Sequence, residues 1–195
     1  MMREKPIFFN TEMVQAILDG RKTMTRRVIK VDDAPDNWKA SIAGTSIVRT
    51  DPYNVKLSRY AAGDRLWVRE AWARLNNDYH PDDNGKIFVY KADHITGNDG
   101  PDLLKWNPPL YMPKEVARLW LVVKDVRVER LQEILCGDMK REGCIPATVT
   151  GGQYQQWQRE YWIPLWNSTV KKQDIDRYSW DANPWVWVVE FKGVA

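Results

Sequence analysis

The apolar and polar positions of this chain fall into blocks of different period. Residues 7–9 are a short apolar run leading into 11–19, where Met13, Val14, Ile17 and Leu18 form one stripe. Asn10 or Thr11 can cap this helix, and Gly20 suits the left-handed residue that stops it. In 65–72, Leu66, Val68 and Glu70 alternate with Trp67, Arg69 and Ala71, the period of a strand. A second strand is predicted over 86–91 (KIFVYK), and Asp82-Asp83-Asn84-Gly85 before it has hairpin-turn chemistry. Residues 117–131 are rich in Val and Leu, with a break at Lys124-Asp125, and predict one bent strand or a hairpin. A helix follows over 132–141 and stops at Gly143. Another spans 155–166, with Trp157, Tyr161 and Leu165 at i, i+4 and i+8. The clearest strand is 185–191, with Trp185, Trp187, Val189 and Phe191 on one face.

Between these blocks, 31–62 is polar and broken by Pro35, Gly44 and Pro52, and 93–113 carries two Gly and four Pro. Five or six strands with few helices between them favour a mainly antiparallel sheet or small barrel over a doubly wound fold. The expectation is a single α+β domain over 1–195, with insertions near 31–62, 93–113 and 146–180.

Charge changes this picture by its position. The chain has 29 Lys and Arg against 26 Asp and Glu, and residues 1–30 hold seven of the bases against three acids. The positive excess therefore lies in the first thirty residues, and Arg21, Lys22, Arg26, Arg27 and Lys30 crowd together without an acid between them. No apolar run exceeds five residues, so no membrane span is expected, and no signal peptide is visible at the N-terminus. Two cysteines, Cys136 and Cys144, are too few for a secreted disulfide framework, which makes a cytoplasmic protein the default. They also lack CxxC spacing, and neither His80 nor His94 has a second ligand nearby, so no metal and no cofactor are expected.

The segment Gly20-Arg-Lys-Thr-Met-Thr-Arg-Arg27 is the sharpest candidate for chemistry. Arg21, Arg26 and Arg27 offer phosphate contacts, and Thr23 and Thr25 offer hydroxyls. It lacks P-loop spacing, and a solvated basic turn would account for its composition equally well.

Seven blocks in order carry a resemblance: GRKTMTRR, GDRLWVREAW, YKAD at 90–93, WNPPLYMP, VRVERLQEI, Glu142-Gly143 and NPWVWVVEF. Together they resemble the ASCH domain family, in its longer phage- and prophage-type members, over 5–192. The resemblance implies a PUA-like fold, a small β-barrel with flanking helices and a cleft for RNA or modified nucleosides. Some short ASCH proteins are amidohydrolases that deacylate N4-acetylcytidine, and others are linked to RNA binding or cleavage. In the amidohydrolase type the working residues are a Lys and a Thr in G-R-K-T-x-T-x-R, and a Glu after the central strands. Here they match Lys22, Thr25 and Glu142, and the motif's last Arg matches Arg27.

That chemistry is coherent residue by residue. A threonine hydroxyl attacks an amide only when a base takes its proton, and a neutral lysine can do so. Neighbouring arginines and burial would lower the pKa of Lys22. Glu142 is open to three roles: holding the lysine, passing a proton to the leaving amine, or positioning water. The same inventory suits a site that only grips phosphate. The alternatives are therefore a non-catalytic RNA-binding module and a metal-independent ribonuclease.

With 11 Trp in the chain, base stacking must be weighed against core packing. Trp67, Trp72, Trp185 and Trp187 lie in strand patterns and are expected mostly in the core. Trp72 and Trp185 are the candidates for stacking, and Trp180 and Asn183 for the rim of the cleft. Arg69 and Glu70 point to opposite faces, whichever turns inward needs a partner or a ligand, and Arg69 is a candidate substrate contact.

Overall fold

A computed structural model describes residues 3–30, 39–40, 46–48, 55–74, 88–93, 105–145 and 154–194. Its centre is a mixed five-stranded sheet, built from β1 (Glu4–Phe8), β2 (Met24–Val28), β6 (Arg65–Arg69), β9 (Trp120–Arg130) and β10 (Trp185–Val194). The strand order is β1-β6-β9-β10-β2, with β1 parallel to β6 and every other pair antiparallel. Within 117–131, where a bent strand and a hairpin were both open, Trp120–Arg130 forms one strand. A register shift opposite Glu190/Phe191 skips Lys124, a bulge that bends β9 where the alternation breaks.

The small barrel expected from the sequence is here an α+β sheet with two edges, β1 and β2. No ladder joins those edges among the described residues. They nevertheless come close, since Arg27 Nη2 on β2 donates to Phe8 O on β1 at 2.7 Å.

Both faces of the sheet are covered. One face packs Ile7, Phe9, Val14, Leu66, Val68, Val189 and Phe191 together beneath helix α1 (Thr11–Leu18). The other packs Met24, Val186 and Val188 against Ile134, Met139, Trp157, Trp162 and Trp166. Burial of such a side chain contributes about 1.5–3 kcal/mol, so the tryptophans from the expected insertion near 146–180 are integral to this core. Their helix is one run over 154–169, with a π-helical segment Gln158–Trp162 between α3 (Tyr154–Trp157) and α4 (Ile163–Thr169).

The other insertions are partly described. Three short strands, β3 (Lys39–Ala40), β4 (Ser46–Val48) and β5 (Val55–Leu57), form a separate antiparallel sheet within 31–62. In 105–113, Pro109–Tyr111 forms a 3-10 turn. Strands β7 (Trp72–Arg74) and β8 (Phe88–Tyr90) pair antiparallel, whereas the turn expected at 82–85 and both histidines lie outside the described residues. No described helix is long and apolar enough to cross a membrane.

Candidate active site

Two chain reversals build the site. Helix α1 is capped by Asn10 Oδ1, which accepts from Met13 N at 2.8 Å, and it ends at Gly20 with φ of +71°. The chain then turns back so that Lys22 N donates to Ala16 O at 2.8 Å, and β2 begins at Met24. The second reversal closes helix α2 (Cys136–Arg141), where Glu142 is the C-cap and Gly143 takes φ of +74°. Thr23 N donates to Arg141 O at 2.8 Å and ties the two reversals together.

Lys22 and Glu142 meet at this junction. The lysine side chain is 0% exposed, and its Nζ donates to Glu142 Oε2 at 2.9 Å and to Glu142 O at 2.8 Å. The second bond places a cation on the last carbonyls of α2, the end of a helix that favours positive charge. Lys22 Nζ also sits 5.5 Å from the Phe9 ring centroid. Burial pulls the Lys22 pKa below its ordinary value, against the attraction of Glu142, and Arg27 pulls in the same direction as burial.

Thr25 is buried and lies in register with Val189, so it shares with Arg27 the face of β2 that carries Phe9. The Arg27 guanidinium is 5.3 Å from the Phe9 centroid. Lys22 and Glu142 are thus in direct contact, with Thr25 three residues on, in β2, and with both Lys22 and Arg27 near the Phe9 ring.

Arg26, expected among the substrate contacts, is found inside instead. Its side chain is 0% exposed, and it donates to Glu142 Oε1 at 3.2 Å, Asp138 Oδ2 at 2.8 Å and Glu129 Oε2 at 2.9 Å. Three carboxylates occupy it because strand alternation turns it toward α2, opposite Thr25 and Arg27. The solvated-turn account of this segment fails for the same reason. Asp138 and Glu129 are the partners that sequence inspection missed, whereas Glu142 was among the site residues expected. Asp138 and Glu142 sit four apart at the end of one helix, a repulsive spacing unless a cation lies between them, and that spacing was the available signal for Asp138.

The remaining candidates lie around this centre. Arg21 pairs with Asp19 at 2.8 Å and reaches Gly143 O at 3.3 Å. Of the two neighbours at the end of β6, Glu70 is the buried one: Arg118 holds both its oxygens at 2.9 Å and also pairs with Asp93. Burial still raises the Glu70 pKa despite that partner. Arg69 is half-buried against the Trp67 ring and donates to Leu110 O. Trp67 and Trp187 are buried, as expected of core rings, whereas Trp72 and Trp185 are half-buried. Trp72 packs edge-on to Phe88, and the Arg130 guanidinium lies 4.4 Å from the Trp185 centroid. Asn183 takes φ of +46°, and its side chain accepts from Gln132 N, which makes it a turn residue. Trp180 is half-buried and packs against the cluster of α2 and the 154–169 helix.

Cys144 lies next to the pair, but burial pushes its thiol up to about 12, so it stays protonated and is a poor nucleophile. Among the described residues no group of three or more His, Cys, Asp and Glu could hold a metal ion. Comparison of the chain with protein-family models, curated proteins and solved structures returned no match.

Proposed function

We propose that this protein is an ASCH-type amidohydrolase of PUA-like architecture that removes the acyl group from N4-acylated cytidine. The observation that carries the proposal is the buried contact between Lys22 Nζ and Glu142 Oε2, with Thr25 buried three residues after the lysine, in β2. A lysine held out of water, its pKa lowered by burial, has the properties of a general base.

In the proposed reaction neutral Lys22 takes the proton of Thr25 as Oγ1 attacks the acyl carbonyl carbon. Arg27 meets the charge that develops on the carbonyl oxygen. The C–N4 bond then breaks, and the proton held by Lys22 passes to N4, releasing cytidine. Water hydrolyses the acyl-threonine with Lys22 again as base. Glu142 holds the lysine throughout through both its carboxylate and its carbonyl.

Purified protein incubated with N4-acetylcytidine should show the ultraviolet change of deacylation. Lys22→Ala and Thr25→Ala should each lower kcat by about 10²-fold or more. A folded wild-type protein without turnover overturns the proposal, and turnover surviving in Thr25→Ala removes the nucleophile. Only the neutral amine is a base, and burial lowers the Lys22 pKa. Activity should therefore rise with pH, with the midpoint of its rising limb below that of a free lysine.

A second reading, RNA binding without turnover, is favoured by a separate surface. Arg69 lies 4.5 Å from the Trp67 centroid and 5.1 Å from that of Phe8, and Arg65 lies 4.7 Å from that of Trp120. Leu110 and Tyr111, 60% and 71% exposed, adjoin them through the bond from Arg69 to Leu110 O. Interleaved arginines and aromatic rings suit a polyanion with flat bases.

A further inference from the structure

Lys22 is the innermost member of a connected set of charges. Arg26 links Glu142 to Asp138 and Glu129. Arg127 continues from Asp138 at 3.1 Å and Glu129 to Glu190 at 2.7 Å, and Arg141 joins Glu190 at 2.6 Å. The cations Lys22, Arg26, Arg127 and Arg141 thus balance the anions Glu142, Glu129, Asp138 and Glu190. Lys22 and Arg26 have fully buried side chains, whereas Arg141 at the far end is 41% exposed. The network therefore runs from a dry end to water.

The two oxygens of Glu142 are divided between two cations. Oε2 accepts from Lys22 at 2.9 Å and Oε1 from Arg26 at 3.2 Å. A carboxylate shared in this way attracts each partner less than one given wholly to a single partner. The Arg26 side chain is fully buried and already engaged by three carboxylates, so its charge is directed at them.

We infer that Arg26 is a positioning residue: by holding Glu142 Oε1 it limits the grip of Oε2 on Lys22 and so lets Lys22 give up its proton. The inference rests on the deacylation reading for its place in catalysis, and on geometry alone for its effect on Lys22. Among the described residues, the groups facing Lys22 come from four elements. Helix α1 presents uncharged Ala16, and the end of β1 presents the Phe9 ring. Strand β2 brings Arg27, and the end of α2 brings Glu142 and Cys144, of which the thiol stays neutral. Arg21 reaches the same turn through Gly143 O.

Two substitutions move Lys22 in opposite directions. Arg26→Met removes a neighbouring positive charge and leaves Glu142 to Lys22, so the lysine holds its proton to higher pH. Asp138→Asn keeps the shape, removes a negative charge and turns Arg26 more fully onto Glu142, so the lysine releases its proton at lower pH. Lys22 can be titrated by NMR in protein labelled with ¹³C-lysine, its signal assigned by its loss in Lys22→Ala, and the pH–rate profile measured alongside.

In Arg26→Met the titration and the rising limb should both move up, lowering the rate at pH 7 by about tenfold and restoring it at high pH. Both should move down in Asp138→Asn, and Arg26→Lys should recover most of the wild-type behaviour. A folded Arg26→Met protein whose Lys22 titration is unmoved, or whose rate falls equally at every pH, overturns the inference. Should Arg26→Met not fold, the direction of the Asp138→Asn shift decides. Should the wild type not deacylate, the deacylation reading fails, and the two titrations still decide whether Arg26 acts on Lys22.

Discussion

Gly143 is the residue on which the site turns. Its φ of +74° favours glycine, and an added Cβ would lie 2.8 Å from Ala16 Cβ and 2.9 Å from Lys22 Cβ. Both neighbours are attached directly to backbone, so neither can swing away. Gly143→Ala should cost about 2–4 kcal/mol of stability from the left-handed strain and the overlap combined. Denaturant unfolding measures this, and a loss under about 0.5 kcal/mol would show that the two reversals are not packed as described. The helix stop at Gly143 was legible in sequence from the glycine alone. The close approach to Lys22 was not, because 120 residues separate Lys22 from Glu142. At the same scale Arg26 and Arg27 looked alike, and only their opposite sides of β2 separated a buried clamp from a side chain that faces Phe9.

At the scale of the element, the helix over 154–169 shows how a local irregularity changes a predicted face. A regular α-helix would bury Trp157, Tyr161 and Leu165. The π-helical segment Gln158–Trp162 adds a residue to the turn, so Trp157, Trp162 and Trp166 are buried and Tyr161 is half-buried. Trp162→Ala should therefore cost about 3–5 kcal/mol, and Tyr161→Ala about 1 kcal/mol or less. Equal losses in thermal unfolding would contradict this assignment. Helix α1 was more nearly as expected, since Val14 is buried and Met13 and Ile17 pack beside it, but Leu18 at its end is exposed. Strand β10 has one face as predicted, and Val186 and Val188 on its other face are buried too. Alternation shows that two faces exist, but what covers each depends on remote segments.

For the molecule as a whole, the basic surplus of the first thirty residues is largely taken up inside the fold. Lys22 and Arg26 are neutralised in the buried network, Lys5 pairs with Asp64 at 2.6 Å, and Arg27 is held by Phe8 O. On the separate face with exposed Leu110 and Tyr111, the cations beside aromatic rings come from the middle of the chain, in Arg65, Arg69 and Lys114. If this face binds single-stranded RNA, affinity should fall steeply with salt, and an Arg65→Glu, Arg69→Glu double variant should weaken it by about tenfold or more. Fluorescence anisotropy with a labelled oligonucleotide tests this. Weak binding insensitive to both salt and the charge reversals would rule out an RNA surface there.

Local physics determined much of this protein. A helix cap at Asn10 or Thr11, the glycine stops at 20 and 143, the alternation of 65–70 and a strand over 185–191 follow from neighbours in the chain, so sequence alone shows them. Motif resemblance also singled out Lys22, Thr25 and Glu142. The tertiary structure decided which charges are buried together and which strands lie at the edges, since both depend on contacts between remote segments. Burial then turns a row of basic residues, which sequence cannot tell from a solvated turn, into one enclosed lysine, one enclosed clamp and a shared carboxylate.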